Sequence, residues 1–256
     1  KNFWYVWFIA KLTGAAFVAE HCGALNSPHL SRKRLSLSNN IVRFHNFLLT
    51  QTDAILANNR REIGGLQNID VDKNKIYSIV PTGTIEVENN FRKVDKLLAS
   101  TKSGIDSSKI NLLYVGAIET GERSPFPLLI VLKTLLKSND KYRLVVIGAG
   151  RHRDRFVKLI KKNKLEKFVI LSGGWVKSKE ELNLIYNSCD IFILPFITDS
   201  IGIGSALREA VTCNLDCIVY SFKKHKDQYL NYVEPNNTPQ MVSTITEIVL
   251  NKSKKV

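Results

Sequence analysis

No stretch of this 256-residue chain carries the roughly 20 uninterrupted apolar residues that a membrane-spanning helix needs. The nearest approach, Phe3 to Ala19, is broken by Lys11, Thr13 and Gly14. A secretory leader would want its charge before such a core and a small-residue cleavage site after it, and a buried helix, turn and strand are the expected reading instead. Cysteine is scarce: Cys22, Cys189, Cys213 and Cys217, with no C-x-x-C pair and no histidine close to Cys213 or Cys217. Three of the four sit among apolar residues, so they read as buried free thiols of a reducing, cytoplasmic compartment. Acidic residues are also few. Against 37 Lys and Arg there are 23 Asp and Glu, which leaves a net charge of +14. That surplus suits anionic partners such as nucleotide diphosphates or an anionic membrane surface, at whose inner face the protein is expected to sit peripherally. The charge would suit nucleic acid too, but no helix-turn-helix, zinc or aromatic-basic motif accompanies it, so no nucleic-acid partner is expected.

What is present is an alternating pattern. The chain is 44% hydrophobic, enough for one large or two medium domains with a proper core. The aromatic-rich start reads as a buried helix (Phe3 to Leu12), a turn at Gly14 and a strand (Ala15 to Glu20) that ends in His21. Ile41 to Thr50 has helical spacing, and Asp53 to Ala57 is a second short strand. Asn58 to Leu66 reads as a helix leaving through Gly64-Gly65, and Lys75 to Val80 as a third strand. Residues 84–108 are polar and without clear period, the pattern of a linker. Strands follow at Ile110–Val115, Tyr142–Ile147, Phe168–Leu171, Asp190–Phe196 and, last, Cys217–Tyr220. Helices at Pro127–Lys137, Arg153–Lys164, Lys179–Ser188 and from Ser205 come between them, and Thr238 to Asn251 closes the series. Strands alternating with helices, with glycines at their C-terminal ends, indicate a parallel sheet covered on both faces. Right-handed crossovers would gather Gly116, Gly148, Gly173, Asp199 and Gly204 along one rim.

The stretch from Asp190 to Glu209 carries the chemistry. It reads as strand, a Gly202-Ile203-Gly204 turn, then a helix. Such a turn lets backbone amides approach a phosphate, and the helix end adds unpaired donors and positive potential. Glu209, about one and a half turns into the helix at roughly 1.5 Å per residue, could accept two hydrogen bonds from vicinal sugar hydroxyls. A nucleoside diphosphate fits this arrangement.

The order of four segments resembles the group 1, or family 4, retaining glycosyltransferases of the GT-B fold. They are Asp53–Glu62 with Lys75–Gly83; Leu112–Gly116; Leu144–Gly150 with Ile170–Trp175; and Tyr186–Pro195 with Ile201–Ala210. The resemblance implies an α/β fold of two Rossmann-like, doubly wound parallel-sheet domains. The N-terminal one, residues 1–83, would be incomplete on the acceptor side. Residues 84–108 would link it to a nucleotide-sugar-binding domain over 109–251. It further implies a donor ribose on Glu209, a diphosphate over Gly202 and Gly204, and a base along Gly173, Gly174, Trp175 and Val176. Arg123 would serve as a phosphate ligand, and His21 would lie beside the transferred sugar. Gly116, Gly148 and Ile203 would complete the donor site. No metal or other cofactor is implied, because positive groups and the helix end would stabilise the leaving diphosphate. Three positions depart from the pattern. Ile201 stands where a sugar-binding glutamate is usual, with Asp199 the nearest carboxylate. Ala117 replaces a phosphate-binding arginine, for which Arg151 or Lys177 are the candidate replacements. Asn214-Leu215-Asp216 replaces a Gly-x-Pro. Early strands of the N-terminal domain and a return helix after residue 251 have no counterpart, which implies a fragment or a partner subunit. The expected activity is transfer of a hexose from a nucleotide-diphosphate sugar to a glycan or lipid-linked acceptor. The alternative is a degenerate homologue that serves as a nucleotide-binding or regulatory subunit.

Overall fold

The computed structural model describes residues 3–21, 37–57, 60–78, 82–121, 124–174, 176, 178–197, 204–222 and 230–253; the side chains of His21, residues 37–41, 60–61, 82–85, Ile197 and Ser253 fall outside it. The chain divides into two compact units, Lys1–Thr82 and Gly83–Val256.

The first unit holds helices α1 (Phe3–Thr13), α2 (Leu37–Thr50) and α3 (Arg60–Gln67) and strands β1 (Val18–His21), β2 (Ala54–Ala57) and β3 (Ile76–Ser78). The three strands are parallel in the order β1-β2-β3, with His21 opposite Ala57. Ala19, Leu49, Ile55, Ala57, Leu66 and Val71 form its core. Two expectations need correction here. Helix α3 runs through Gly64-Gly65 to Gln67 rather than ending at them. Helix α1 is not a buried helix: Phe3, Trp7 and Ala10 share the inward face, while Trp4, Tyr5, Val6, Phe8, Ile9 and Leu12 are exposed. A helix that is apolar on all sides can turn only one stripe to a single neighbouring core.

The second unit begins with α4 (Thr82–Asn90) and α5 (Lys96–Ser103), on the stretch expected to be a linker. Val87, Phe91 and Ile105 are buried in this unit's core. The segment between the helices is held by buried asparagines of α8 (Lys179–Ser188). Arg92 N–H donates to Asn183 Oδ1 (3.0 Å), Val94 N–H donates to Asn187 Oδ1 (2.8 Å), and Asn187 Nδ2 donates to Arg92 O (2.9 Å). Polar contacts of this kind leave no hydrophobic period, so the segment reads as a linker although it is docked.

The rest builds one sheet from β4 (Ile110–Val115), β5 (Tyr142–Ile147), β6 (Val169–Leu171), β7 (Ile191–Ile197), β8 (Asp216–Tyr220) and β9 (Leu230–Val233). The last of these was not anticipated. All neighbours are parallel, in the order β6-β5-β4-β7-β8-β9. Numbered within the unit this is 3-2-1-4-5-6, the doubly wound nucleotide-binding order, whose direction reverses between β4 and β7. Helices α6 (Phe126–Leu135), α7 (Arg153–Lys162), α9 (Ser205–Thr212) and α10 (Thr238–Ser253) complete the unit. Alternate strand residues feed two cores. Leu112, Tyr114, Leu144 and Ile191 meet α6, α7 and α10 on one face, and Leu113, Val115, Val145 and Phe192 meet α8 and α9 on the other.

At the reversal, β4 and β7 pair only at Leu112–Ile191 and Leu113–Phe192, although both strands continue. On its other side β7 shifts register against β8 between Leu194 and Ile197, around Pro195, which has no amide to donate. A crevice therefore opens at the C-terminal ends of β4 and β7. The loops that follow β4 and β5 pack tightly on each other. Ile118 N–H donates to Ala149 O (2.9 Å) and His152 N–H to Ile118 O (3.2 Å). A Cβ at Gly150 would fall on the Ile118 backbone, 2.7 Å from its nitrogen. Gly150→Ala should accordingly cost at least about 2 kcal/mol in a chemical-denaturation titration; an unchanged midpoint would contradict this packing.

Candidate nucleotide-binding site

A cavity of about 320 Å³ opens in this crevice, within the usual size range of small-molecule sites. Val115 and Gly116 from the end of β4 and Ile147 from β5 form one side. Val176, Ser178, Lys179 and Leu182, around the start of α8, form another. Ser205, Ala206 and Glu209 of α9 close it. Gly116 is required in its own right, since a Cβ there would lie 2.7 Å from the Tyr114 hydroxyl.

Helix α9 starts at Gly204, whose backbone is extended and which offers no side-chain cap. Leu207 and Arg208 N–H both reach Gly204 O, so the amides of Ser205 and Ala206 precede the hydrogen-bond ladder. This end of the helix therefore presents donors and positive potential toward the cavity. One turn on, Glu209 is only 5% exposed. Its Oε2 accepts from the Tyr186 hydroxyl at 2.8 Å, and Oε1 has no protein partner among the described residues. Burial raises the Glu209 pKa; the Tyr186 hydrogen bond and the Lys179 charge oppose that rise, and the Glu86 charge adds to it. Lys179 Nζ lies 3.2 Å from Glu86 Oε1 and 5.9 Å from the centre of the Phe91 ring.

Of the residues singled out from the sequence, the structure brings Gly116, Val176 and Glu209 into the cavity wall, with Gly204 capping the helix that closes it. Gly148 and Gly173-Gly174 lie at the ends of β5 and β6 but do not line it; Ser172 ties them together, its hydroxyl accepting from Gly148 N–H at 3.2 Å and donating to Gly174 O. Arg151 does not line the cavity; its side chain is 88% exposed and its Nε lies 3.5 Å from Glu119 Oε2. The backbone amide of Arg151 and the His152 ring hold the Glu119 carboxyl below its usual range. The Ala117 carbonyl accepts from Tyr114 OH (2.8 Å). His21 is the last residue of β1 in the first unit. Arg123, Trp175, Lys177, Asp199, Ile201, Gly202 and Ile203, and Cys22, lie outside the described residues. Cys189, Cys213 and Cys217 are free and buried, and burial pushes the Cys213 and Cys217 thiols to about 12. Lys179, Ser205 and Tyr186 were missed. Lys179 had a signal: a cation in the first turn of a helix works against the helix dipole and invites another explanation.

A family profile described as "Glycosyl transferases group 1" matches residues 95–255. The chain belongs to this family. An uncharacterized 41.2 kDa protein of the cps region of Klebsiella pneumoniae is 27% identical over 162 residues, which cover 63% of this chain and 41% of that protein. This chain thus matches less than half the length of that relative. Among solved structures, Anabaena HepE in complex with UDP and glucose superposes with a TM-score of 0.70 at 12% identity, covering 98% of this chain and 67% of that one. Sucrose-phosphate synthase from Thermosynechococcus elongatus gives 0.70 at 16% identity, covering 98% and 63%. The pneumococcal O-GlcNAc transferase GtfA in complex with UDP and GlcNAc gives 0.67 at 15%, covering 98% and 47%. At such identities the likeness concerns the fold, and these neighbours are GT-B glycosyltransferases.

Glu209 sets a pH dependence whose sign follows from burial. Its folded-state pKa lies above that of the unfolded chain, so the native state keeps the proton to higher pH. Stability is full below the unfolded carboxyl pKa, about 4.3, and falls as pH rises through the folded-state value. Glu209→Gln preserves an acceptor for Tyr186 and removes the buried charge. The variant should melt higher than wild type at neutral pH, by roughly 2–4 °C per kcal/mol relieved, and equally at acid pH. Calorimetric scans at both pH values check this.

Proposed function

We propose that this chain forms the donor-binding part of a retaining hexosyltransferase that uses a nucleotide-diphosphate sugar. The observation that carries the reading is the Glu209 carboxylate, buried in the cavity at the sheet's reversal point and one turn behind the exposed amides of α9. A carboxylate in this position matches the vicinal hydroxyls of a ribose, and the helix end matches a diphosphate. UDP in two of the structural neighbours supports the same class of ligand.

In this reading the phosphates lie over Gly202 to Ser205, and the base runs along Gly173 to Val176, including Trp175. Arg123 and the α9 end balance the charge of the leaving diphosphate without a metal. The bond from the sugar's anomeric carbon to the phosphate oxygen breaks, and the bond to the acceptor oxygen forms on the same face. The acceptor's proton passes to the departing phosphate oxygen. This route needs no side-chain general base and is the one that would retain configuration. His21 and Asp199 remain the proposed sugar-side groups.

The acceptor we propose is a glycan or a lipid-linked glycan at an anionic membrane surface. Two features support the surface: the net charge of +14 and the exposed aromatic and aliphatic side chains of α1. No helix among the described residues is long and apolar enough to cross a membrane, so this contact would be peripheral.

Calorimetric titration with UDP, GDP and the corresponding sugar nucleotides tests the donor site. One nucleotide should bind with micromolar affinity, and Glu209→Ala should weaken it at least about tenfold. Equal binding by the variant would remove Glu209 from the site. Co-sedimentation with phosphatidylglycerol vesicles tests the surface. Binding should fall with added salt and on Trp4→Ser together with Phe8→Ser; retention of binding by that variant would count against α1.

A further inference from the structure

The Glu209 carboxylate is one member of a pair. Tyr186, on the last turn of α8, is fully buried. Its ring stands edge-on to Phe91, with centroids 5.7 Å apart, and lies 5.9 Å from Phe192. These contacts pack the ring between two aromatic neighbours. Its hydroxyl lies 2.8 Å from Glu209 Oε2 and 3.1 Å from Ala206 O. A phenol has one proton, and the carboxylate is both the nearer and the stronger acceptor. Ala206 belongs to the first turn of α9, so this hydroxyl spans the helix end and the carboxylate.

We infer that Tyr186 is the positioning residue of this site: its hydroxyl holds Glu209 Oε2 and leaves Oε1 facing the cavity for a ribose. The inference rests on the donor-site reading above and adds a residue to it. An ionised carboxylate accepts two hydrogen bonds from vicinal hydroxyls, whereas a protonated one must give up an acceptor position. Keeping Glu209 ionised in an apolar pocket needs a donor, and Tyr186 is the donor in contact with it. The burial that raises the phenol's own pKa keeps it protonated in that role. The other groups facing Glu209 are Lys179 at the start of α8, Glu86 on α4 and the Cys213 thiol just after α9; Lys179 assists ionisation and Glu86 opposes it.

The test is Tyr186→Phe, which removes one oxygen and keeps the ring. UDP or GDP, whichever the wild type binds, is titrated into both proteins from about pH 5 to about pH 9. In parallel, the Glu209 carboxyl is followed by NMR of isotope-labelled protein, assigned with Glu209→Gln. The variant should bind about tenfold more weakly at neutral pH. The gap should narrow as pH rises, and the carboxyl should titrate at higher pH than in wild type. A loss equal at every pH, with an unmoved carboxyl titration, would make Tyr186 a packing residue and overturn the inference, as would unchanged affinity. If the wild type binds no nucleotide, the ribose role falls with the donor-site reading. The carboxyl titration then shows separately whether Tyr186 holds Glu209. Should the Phe variant fail to fold, replacement of Tyr186 by ortho-fluorotyrosine alters the acidity of the hydroxyl with little change in volume. It should move the same carboxyl titration, and an unmoved titration would overturn the inference.

Discussion

The short pairing between β4 and β7 is the constraint on which the rest of the second unit depends. Two residue pairs join these strands, after which they separate. Crossovers to opposite faces of a parallel sheet start on either side of that gap, which is where such sheets leave a crevice. The consequences follow in order. Gly116 at the lip of β4 must lack a side chain because Tyr114 already occupies the space. Pro195 interrupts the ladder on the other flank of β7. Ser205 and Ala206 of the first turn of α9 stand in the wall of the opening, and Glu209 follows one turn later. A cavity with apolar walls, the starts of two helices, a lysine and a carboxylate is the outcome.

The carboxylate shows a tension between stability and function. Glu209 would be more comfortable neutral in its surroundings, as the direction of its pKa shift shows. A buried charge is tolerated where hydrogen bonds or nearby opposite charge compensate it. Here the compensation comes from Tyr186 and Lys179, both contributed by α8. The core thus holds in place a group whose burial disfavours its charged form.

The buried asparagines of α8 perform a second task. Asn183 and Asn187 supply donors and acceptors to the backbone between α4 and α5, where a sheet or helix would ordinarily do so. The same helix begins beside the cavity with Lys179, which reaches across to Glu86 of α4. One helix therefore anchors the preceding segment, donates a hydrogen bond to the carboxylate and contributes a cation to the cavity wall.

The sequence by itself determined most of the elements from β4 onward and the parallel, doubly wound character of the second unit. The reason is physical: strands such as Leu112–Val115 and Leu144–Ile147 are continuously apolar because both faces are covered, and glycines mark their C-terminal ends. It also pointed to Gly116, Gly204 and Glu209, whose roles depend on local strand, turn and helix geometry. It misjudged α1, because periodicity counts apolar residues but not the surface available to cover them. It misread residues 84–108 because their attachment runs through side chains about 90 positions later in the chain, as with Val94 and Asn187. Only the tertiary structure decided that Arg151 turns to Glu119, that Lys179 enters the cavity and that Tyr186 grips Glu209. Each of these depends on which helix faces which strand end, and no pattern within a single element encodes that.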